Sequence, residues 1–352
     1  MNGGPKPPFF ILLLYYFLIF VSKNESSMLF SIILFFCIAL TIATHCIYGL
    51  VWLVGKCARF YVPYKPFGWA ALILVIICIA FICYGFFIGR FKSEIKEVTF
   101  ENENLPKVFD GYRIVQISDL HLLGFKGYED KLKLTFDKVN GLHPDMICFT
   151  GDLVSFSADE IAPFAEMLRG LRASDGVFSV LGNHDYATYD YKINKAERDA
   201  KVAELIRTER DVLGWNLLLD ESSFVVRGGD TLTVIGCQNQ SCAGKGISPV
   251  QRGNLKKAMQ KAHGFCILLT HDPTHWRGEV LDTEIPLTLS GHTHAAQFRI
   301  FGWTPAKWFY PDSEGMYVAE NQALYVNTGI GCTVPFRIGV PQEITLITLK
   351  KD

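Results

Sequence analysis

Five short segments of this 352-residue chain gather side chains able to hold a metal ion. They are Ser118-Asp119-Leu120-His121, Gly151-Asp152, Gly182-Asn183-His184-Asp185, His271-Asp272 and Ser290-Gly291-His292-Thr293-His294. Five of the nine histidines fall within them, a concentration that scattered structural histidines would not produce. Carboxylate, carboxamide and imidazole donors together suit a hard-to-borderline divalent cation such as manganese, iron or zinc. One four-coordinate ion cannot use them all. Two ions sharing a carboxylate can, and paired ions about 3.5–4 Å apart activate water and clamp a phosphoryl group for in-line attack. His292 and His294, two residues apart, can send their rings toward separate ions, and Gly291 lets the backbone approach closely.

Each segment follows a short apolar run. Residues 113–117, 146–150, 177–181, 265–270 and 287–289 read as strands, and the stretches between them read as helices over 129–142, 159–171, 193–213 and 255–262. This alternation predicts an α/β layered fold, in which ligands collect at the carboxyl ends of the strands. Further apolar runs at 224–226, 232–237, 325–327 and 344–349 predict a second, mixed sheet, and 91–108 reads as a polar linker.

The N-terminal region is of another kind. Residues 28–55 and 69–89 are nearly unbroken apolar runs, each long enough to cross about 30 Å of hydrocarbon as a helix. Trp52 and Trp69 sit near the span ends, where amphipathic rings anchor. The shorter run 8–21 reads as a third span, an interfacial helix or an uncleaved signal. Residues 1–92 are therefore expected to form a membrane region and 93–352 a separate domain. Residues 1–92 hold seven basic residues and one acid, so the remainder is net acidic although the whole chain carries −1. That balance excludes a nucleic-acid binder, and no protein partner is expected beside the lipid bilayer. Lys56, Arg59 and Lys65 on one side of the second span balance Arg90, Lys92 and Lys96 on the other, so charge does not orient it. The ten cysteines divide five and five between the two regions with no CxxC pair, which reads as buried thiols rather than a disulfide or zinc framework.

The segments DGYRIVQISDLHL, HPDMICFTGDLV, VFSVLGNHDY, LLTHDP and LSGHTH, in this order from about Asp110 onward, resemble the calcineurin-like metallophosphoesterase superfamily. The closing LYVNTGIGCTVPFRIGVPQEITLITL is similar to its bacterial membrane-anchored or exported branch. The resemblance implies a four-layer αββα sandwich, preceded here by two or three transmembrane helices. It also implies two divalent ions, manganese first, with iron or zinc as the other candidates. By position, Asp119, His121 and His294 would bind the first ion, Asn183, His271 and His292 the second, and Asp152 would bridge them. His184 would not ligate but would contact the phosphoryl group and protonate the leaving alkoxide. Asp185 is expected either to orient that ring or to cap the next helix. Asp272 reads as a partner of a ligand histidine or as a turn residue. Many relatives read GHTHGGQ where this chain has Ala295-Ala296-Gln297, a restriction of the turn that leaves the ligands untouched.

The activity so implied is hydrolysis of a phosphate ester or pyrophosphate bond by a metal-bridging hydroxide. The apolar spans suggest a phosphorylated, lipid-linked substrate at the membrane, as some superfamily members cleave in lipid A synthesis. The rival readings are a membrane-anchored phosphodiesterase acting on soluble nucleotides and a non-catalytic membrane scaffold, the latter opposed by the intact ligand set. Among the other residues, His45 reads as packing or an interhelical hydrogen bond, His143 as structural and His275 as surface. The aromatic run 301–311 reads as a packed loop on the sheet edge or as an amphipathic rim resting on a bilayer.

Overall fold

A computed structural model describes residues 25–242 and 250–352. The chain divides into two compact units. One comprises the described residues 25–90 with Pro335–Ile338, and the other the described residues from Phe91 to Val334 and from Gly339 to Asp352.

In the first unit the described chain forms two helices, α1 (Glu25–Ala58) and α2 (Lys65–Phe87). Both are long and apolar enough to cross a membrane. The candidate span at 8–21 lies outside the described residues. Pro66 opens α2, where its missing N–H and fixed φ cost nothing. His45 Nε2 lies 2.9 Å from the Tyr64 hydroxyl at the start of α2, and its Nδ1 lies 2.7 Å from the Thr41 carbonyl. The imidazole thus bridges the two helices, the interhelical bond expected of an ionisable group in an apolar span. Gly55 allows close contact at the turn, because a Cβ there would lie 2.6 Å from Val62.

The second unit holds two six-stranded sheets. In the first sheet β1 (Ser93–Asn102), β12 (Gln342–Lys351), β2 (Arg113–Ile117), β3 (Met146–Phe149), β4 (Val177–Ser179) and β5 (Asn216–Leu217) lie in that order. In the second the order is β10 (Gly315–Ala319), β11 (Gln322–Val326), β9 (Leu287–Ser290), β8 (Phe265–Leu269), β7 (Asp230–Gly236) and β6 (Glu221–Arg227). Strands β2 to β5 run parallel, as do β7, β8, β9 and β11. Side chains alternate across each strand and so divide the core in two directions. Ile114, Met146, Cys148, Val234, Ile267 and Leu289 fill the space between the sheets. Val115, Ile117, Ile147 and Phe149 face the other way, toward Leu132, Phe136 and Val139 of α3 (Glu129–Gly141). On the far side Ile235, Leu268 and Leu324 pack with Leu255 and Trp276. These cores form the four layers of an αββα sandwich. Because both faces are covered, the strands read as continuous apolar runs.

Several segments differ from their sequence reading: strands β5 and β10 are not among those expected, and the helix read over 255–262 is confined to Leu255–Ala258. The supposed linker contains β1, which pairs in parallel with β12 along its whole length. The helix expected over 159–171 is broken into short 3-10 turns and a five-residue helix, Ala165–Arg169; Pro163 interrupts it, since it has no N–H to donate.

Candidate metal centre

The carboxyl ends of β2, β3, β4, β8 and β9 converge, and the turns that follow them are cross-linked. Asp119 N donates to Gly151 O at 2.8 Å, His121 N to Asp152 O at 3.2 Å, and Gly291 N to His271 O at 3.0 Å. Gln116, wholly buried, reaches from β2 to the Ser290 carbonyl at 2.8 Å and to Thr150 Oγ1 at 3.2 Å, so one side chain ties the two sheets together beneath the turns. The closing NTG segment braces them from the other side: Gly331 N donates to Asp119 O at 2.7 Å. Its own base is a buried network in which Tyr325, Thr328 and Thr345 hydroxyls donate to the Glu343 carboxylate.

These turns bring six of the seven expected ligands together, and Asn183 follows β4 beside them. Asp119, His121 and His294 form one group able to hold an ion, and Asp152, His271 and His292 form another. Asp152 also groups with His121 and His184. His294 Nε2 is 3.2 Å from Asp119 Oδ1, and His271 Nε2 is 3.2 Å from Asp152 Oδ2. His121 Nε2 faces His294 Nε2 at 3.2 Å, and His292 Nδ1 faces His271 Nε2 at 3.1 Å. Buried Asn183 Oδ1 has no hydrogen-bond partner among the described residues, a cost that a bound cation would remove. His271 Nδ1 lies 2.7 Å from the Thr150 carbonyl, so a proton on that nitrogen leaves the Nε2 lone pair facing the centre.

The local field favours positive charge. Burial alone would raise the Asp119 and Asp152 carboxyls, yet the neighbouring His294 and His271 for the first, and His271 and His184 for the second, hold both below the usual carboxylate range. Burial pushes His121 and His292 below the ordinary imidazole range, so both remain neutral donors. His271 behaves oppositely: burial opposes its charge, but Asp152 and Asp119 beside it push its pKa up to about 10. Two anionic carboxylates and the neutral imidazoles of His121 and His292 suit divalent cations.

The geometry is obtained at the expense of backbone comfort. Asp119, His121, Asp152, His292 and His294 all have φ between +43° and +76°, a region uncommon outside glycine though enriched in Asp and His. Ala295 and Ala296 continue that conformation at φ +47° and +52°, where alanine has no such preference. Gly291 is required by proximity, since a Cβ there would lie 2.0 Å from Ser118 Oγ and 2.4 Å from Asp119 Oδ2.

Other residues take places that the sequence left open. His184 Nδ1 lies 3.1 Å from the Ser155 carbonyl, and its ring sits edge-on to His121 and stacks on Tyr189. Asp185 neither orients that ring nor caps a helix. Its oxygens accept N–H bonds from Asp152, Gly182 and Val154, fastening the second and third turns together. Burial and the charge of Asp152 push its pKa up to about 7. Asp272 is mainly a turn residue, accepting from Thr274 N and Oγ1, with His292 Nε2 3.8 Å away. His275, read as surface, is wholly buried, with Nδ1 2.9 Å from Thr270 Oγ1 and Nε2 3.5 Å from Glu279. Two tyrosines escaped sequence reasoning. Tyr189 hydroxyl accepts from Asn183 Nδ2 at 2.9 Å, and Tyr310 hydroxyl lies 2.7 Å from His292 Nε2. Only the aromatic run around Tyr310 hinted at the second.

The family model of calcineurin-like phosphoesterases matches residues 112–296, the span that carries all five turns. The chain belongs to that family. It is 31% identical to the metallophosphoesterase YkuE of Bacillus subtilis over 273 residues, 76% of this chain and 89% of that protein. It is 30% identical to a transmembrane protein with metallophosphoesterase domain from Danio rerio, over 80% of this chain but only 62% of that one. A shorter match, 43% over 105 residues, is to the UDP-2,3-diacylglucosamine pyrophosphatase LpxG of Chlamydia trachomatis, covering 29% of this chain and 32% of that enzyme. The chain is thus a phosphoric ester hydrolase of the metallophosphoesterase family, and its Asp/His groups are a candidate dinuclear site.

Proposed function

We propose that this chain is a multi-pass, membrane-bound dinuclear phosphoesterase that hydrolyses a phosphate ester or pyrophosphate bond of a membrane-associated substrate. The observation that carries the reading is the pair of Asp/His groups, with Asp152 belonging to one and reaching toward the other. Its Oδ2 lies 3.2 Å from His271 Nε2 and 3.6 Å from His121 Nε2, which suits a carboxylate shared by two ions. Asp119, His121 and His294 would hold one ion, and Asn183, His271 and His292 the other, with manganese the first candidate. When bound, such ions supply Lewis acidity that lowers the pKa of water and offsets charge on phosphoryl oxygens. His184 would donate a proton to the leaving oxygen from Nε2, since the Ser155 carbonyl engages Nδ1. Asp185 holds the turns in register rather than touching substrate. The division into a membrane region ending near residue 92 and a catalytic domain beyond it follows the same reading. Two apolar helices, a transmembrane relative and the short match to a pyrophosphatase of an acylated sugar nucleotide support a lipid-linked substrate.

The test is hydrolysis of bis(p-nitrophenyl) phosphate and p-nitrophenyl phosphate by the detergent-purified full chain, with Mn²⁺, with chelator and with Asp152→Asn. Turnover that needs metal and disappears in Asp152→Asn supports the reading. Turnover indifferent to chelator and to that substitution contradicts it.

A further inference from the structure

Residues 300–310 leave the metal-bearing turn, fold back on themselves and return to it. Ile300 and Trp303 exchange backbone hydrogen bonds of 3.0 and 2.9 Å, a short 3-10 turn spans Pro305–Trp308, and the segment ends at Tyr310. Its root is fixed. Thr304 Oγ1 donates to the Ala295 carbonyl, and buried Tyr310 meets His292. Its tip is open. Phe301 is fully exposed (105%), Trp303 and Trp308 keep 42% and 45% of their surface, and the two indoles meet edge-on at 5.0 Å. Phe301 is held at φ +49°, a rare conformation for a bulky residue.

Clustered exposed aromatics mark a contact surface. Phenylalanine and tryptophan are the types that settle at a lipid–water boundary, and exposed Lys307 between them suits anionic headgroups. The chain itself indicates which surface is near. Only residues 88–92 separate the end of α2 from the start of β1, at most about 20 Å of extended chain. We propose that Phe301, Trp303 and Trp308 form a bilayer-contact tip of the catalytic unit. The tip rests at headgroup depth, and Tyr310 at its root keeps His292 aligned, so the phosphoryl group of a lipid meets the metal centre without leaving the interface. The proposal rests on the membrane-bound reading above.

Tryptophan quenching in the reconstituted full chain tests it. Trp52→Phe with Trp69→Phe removes the two tryptophans of the helices and leaves Trp215 and Trp276, both buried, beside Trp303 and Trp308. Vesicles of dibrominated phosphatidylcholine with phosphatidylglycerol are compared with unbrominated ones, and carbonate extraction is run on each sample. Adding Trp303→Phe and Trp308→Phe keeps aromatic packing and should cut the quenched fraction at least about twofold. Unchanged quenching in a chain that resists carbonate overturns the tip while sparing the membrane reading. Release of the chain by carbonate overturns the membrane reading and the tip with it.

Discussion

Ile76, on the second helix, leaves 57% of its surface open, whereas Ile147, on the third strand, is wholly buried. The contrast runs through both units. Phe30, Leu50, Trp69 and Ile73 turn outward along the helices, while Ile114, Val115, Leu268 and Leu289 are shut inside the sandwich. Apolar surface on that scale is not left to water in a soluble protein. In the sandwich the apolar side chains exclude water from each other; in the helices they need an apolar solvent supplied from outside. Polar groups follow the inverse rule. The helices keep one histidine engaged with Thr41 and Tyr64, while the sandwich buries a constellation of carboxylates and imidazoles at its strand ends.

The largest effect that would sharpen this comparison separates chemistry from anchoring. Asp152→Asn should lower kcat on bis(p-nitrophenyl) phosphate by on the order of 10³-fold, yet leave the fraction of chain in carbonate-washed membranes unchanged. A parallel loss of both, seen by blotting the membrane fraction, would break it. Next comes the same truncation in the two environments. Ile147→Ala should cost about 2–5 kcal/mol in thermal or denaturant unfolding of the detergent-solubilised chain, and Ile76→Ala within about 0.5 kcal/mol. Tyr310→Phe removes the hydroxyl against His292 and should weaken metal retention about tenfold, read by competition with a chelator. The smallest effect concerns the turn: Ala296→Gly relieves a left-handed alanine on an exposed position, worth about 1 kcal/mol, and should raise Tm by about 2 °C.

What could be read from the sequence follows the same physics. The five donor-bearing turns were legible because each couples an apolar strand to donor side chains at its end, a local signal repeated five times. β1 was not legible. It is a half-exposed edge strand bearing Glu94, Lys96, Glu97 and Glu101 beside the inward Val98 and Phe100, and its pairing with β12 is made by backbone groups, which the side-chain pattern does not announce. His275 was misjudged because its burial depends on partners, Thr270 and Glu279, whose placement only the folded turn defines. Asp185 sat in the right motif, but its partners are backbone N–H donors, which sequence does not distinguish. Tyr310 lies 18 residues from His292, and nothing in the spacing announces that its hydroxyl returns to the turn that carries His292. The left-handed φ of Ala295 and Ala296 was foreshadowed by the glycines that many relatives carry there.

The central claim is that the converging strand ends hold a pair of metal ions through Asp152. The direct measurement is metal content per chain, by plasma mass spectrometry, of folded full-length protein loaded with Mn²⁺ and desalted, alongside Asp152→Asn. About two ions per wild-type chain, with a clear drop in the variant, is the expected result. Folded wild-type protein that emerges without metal, or a variant that retains the full complement, would contradict it.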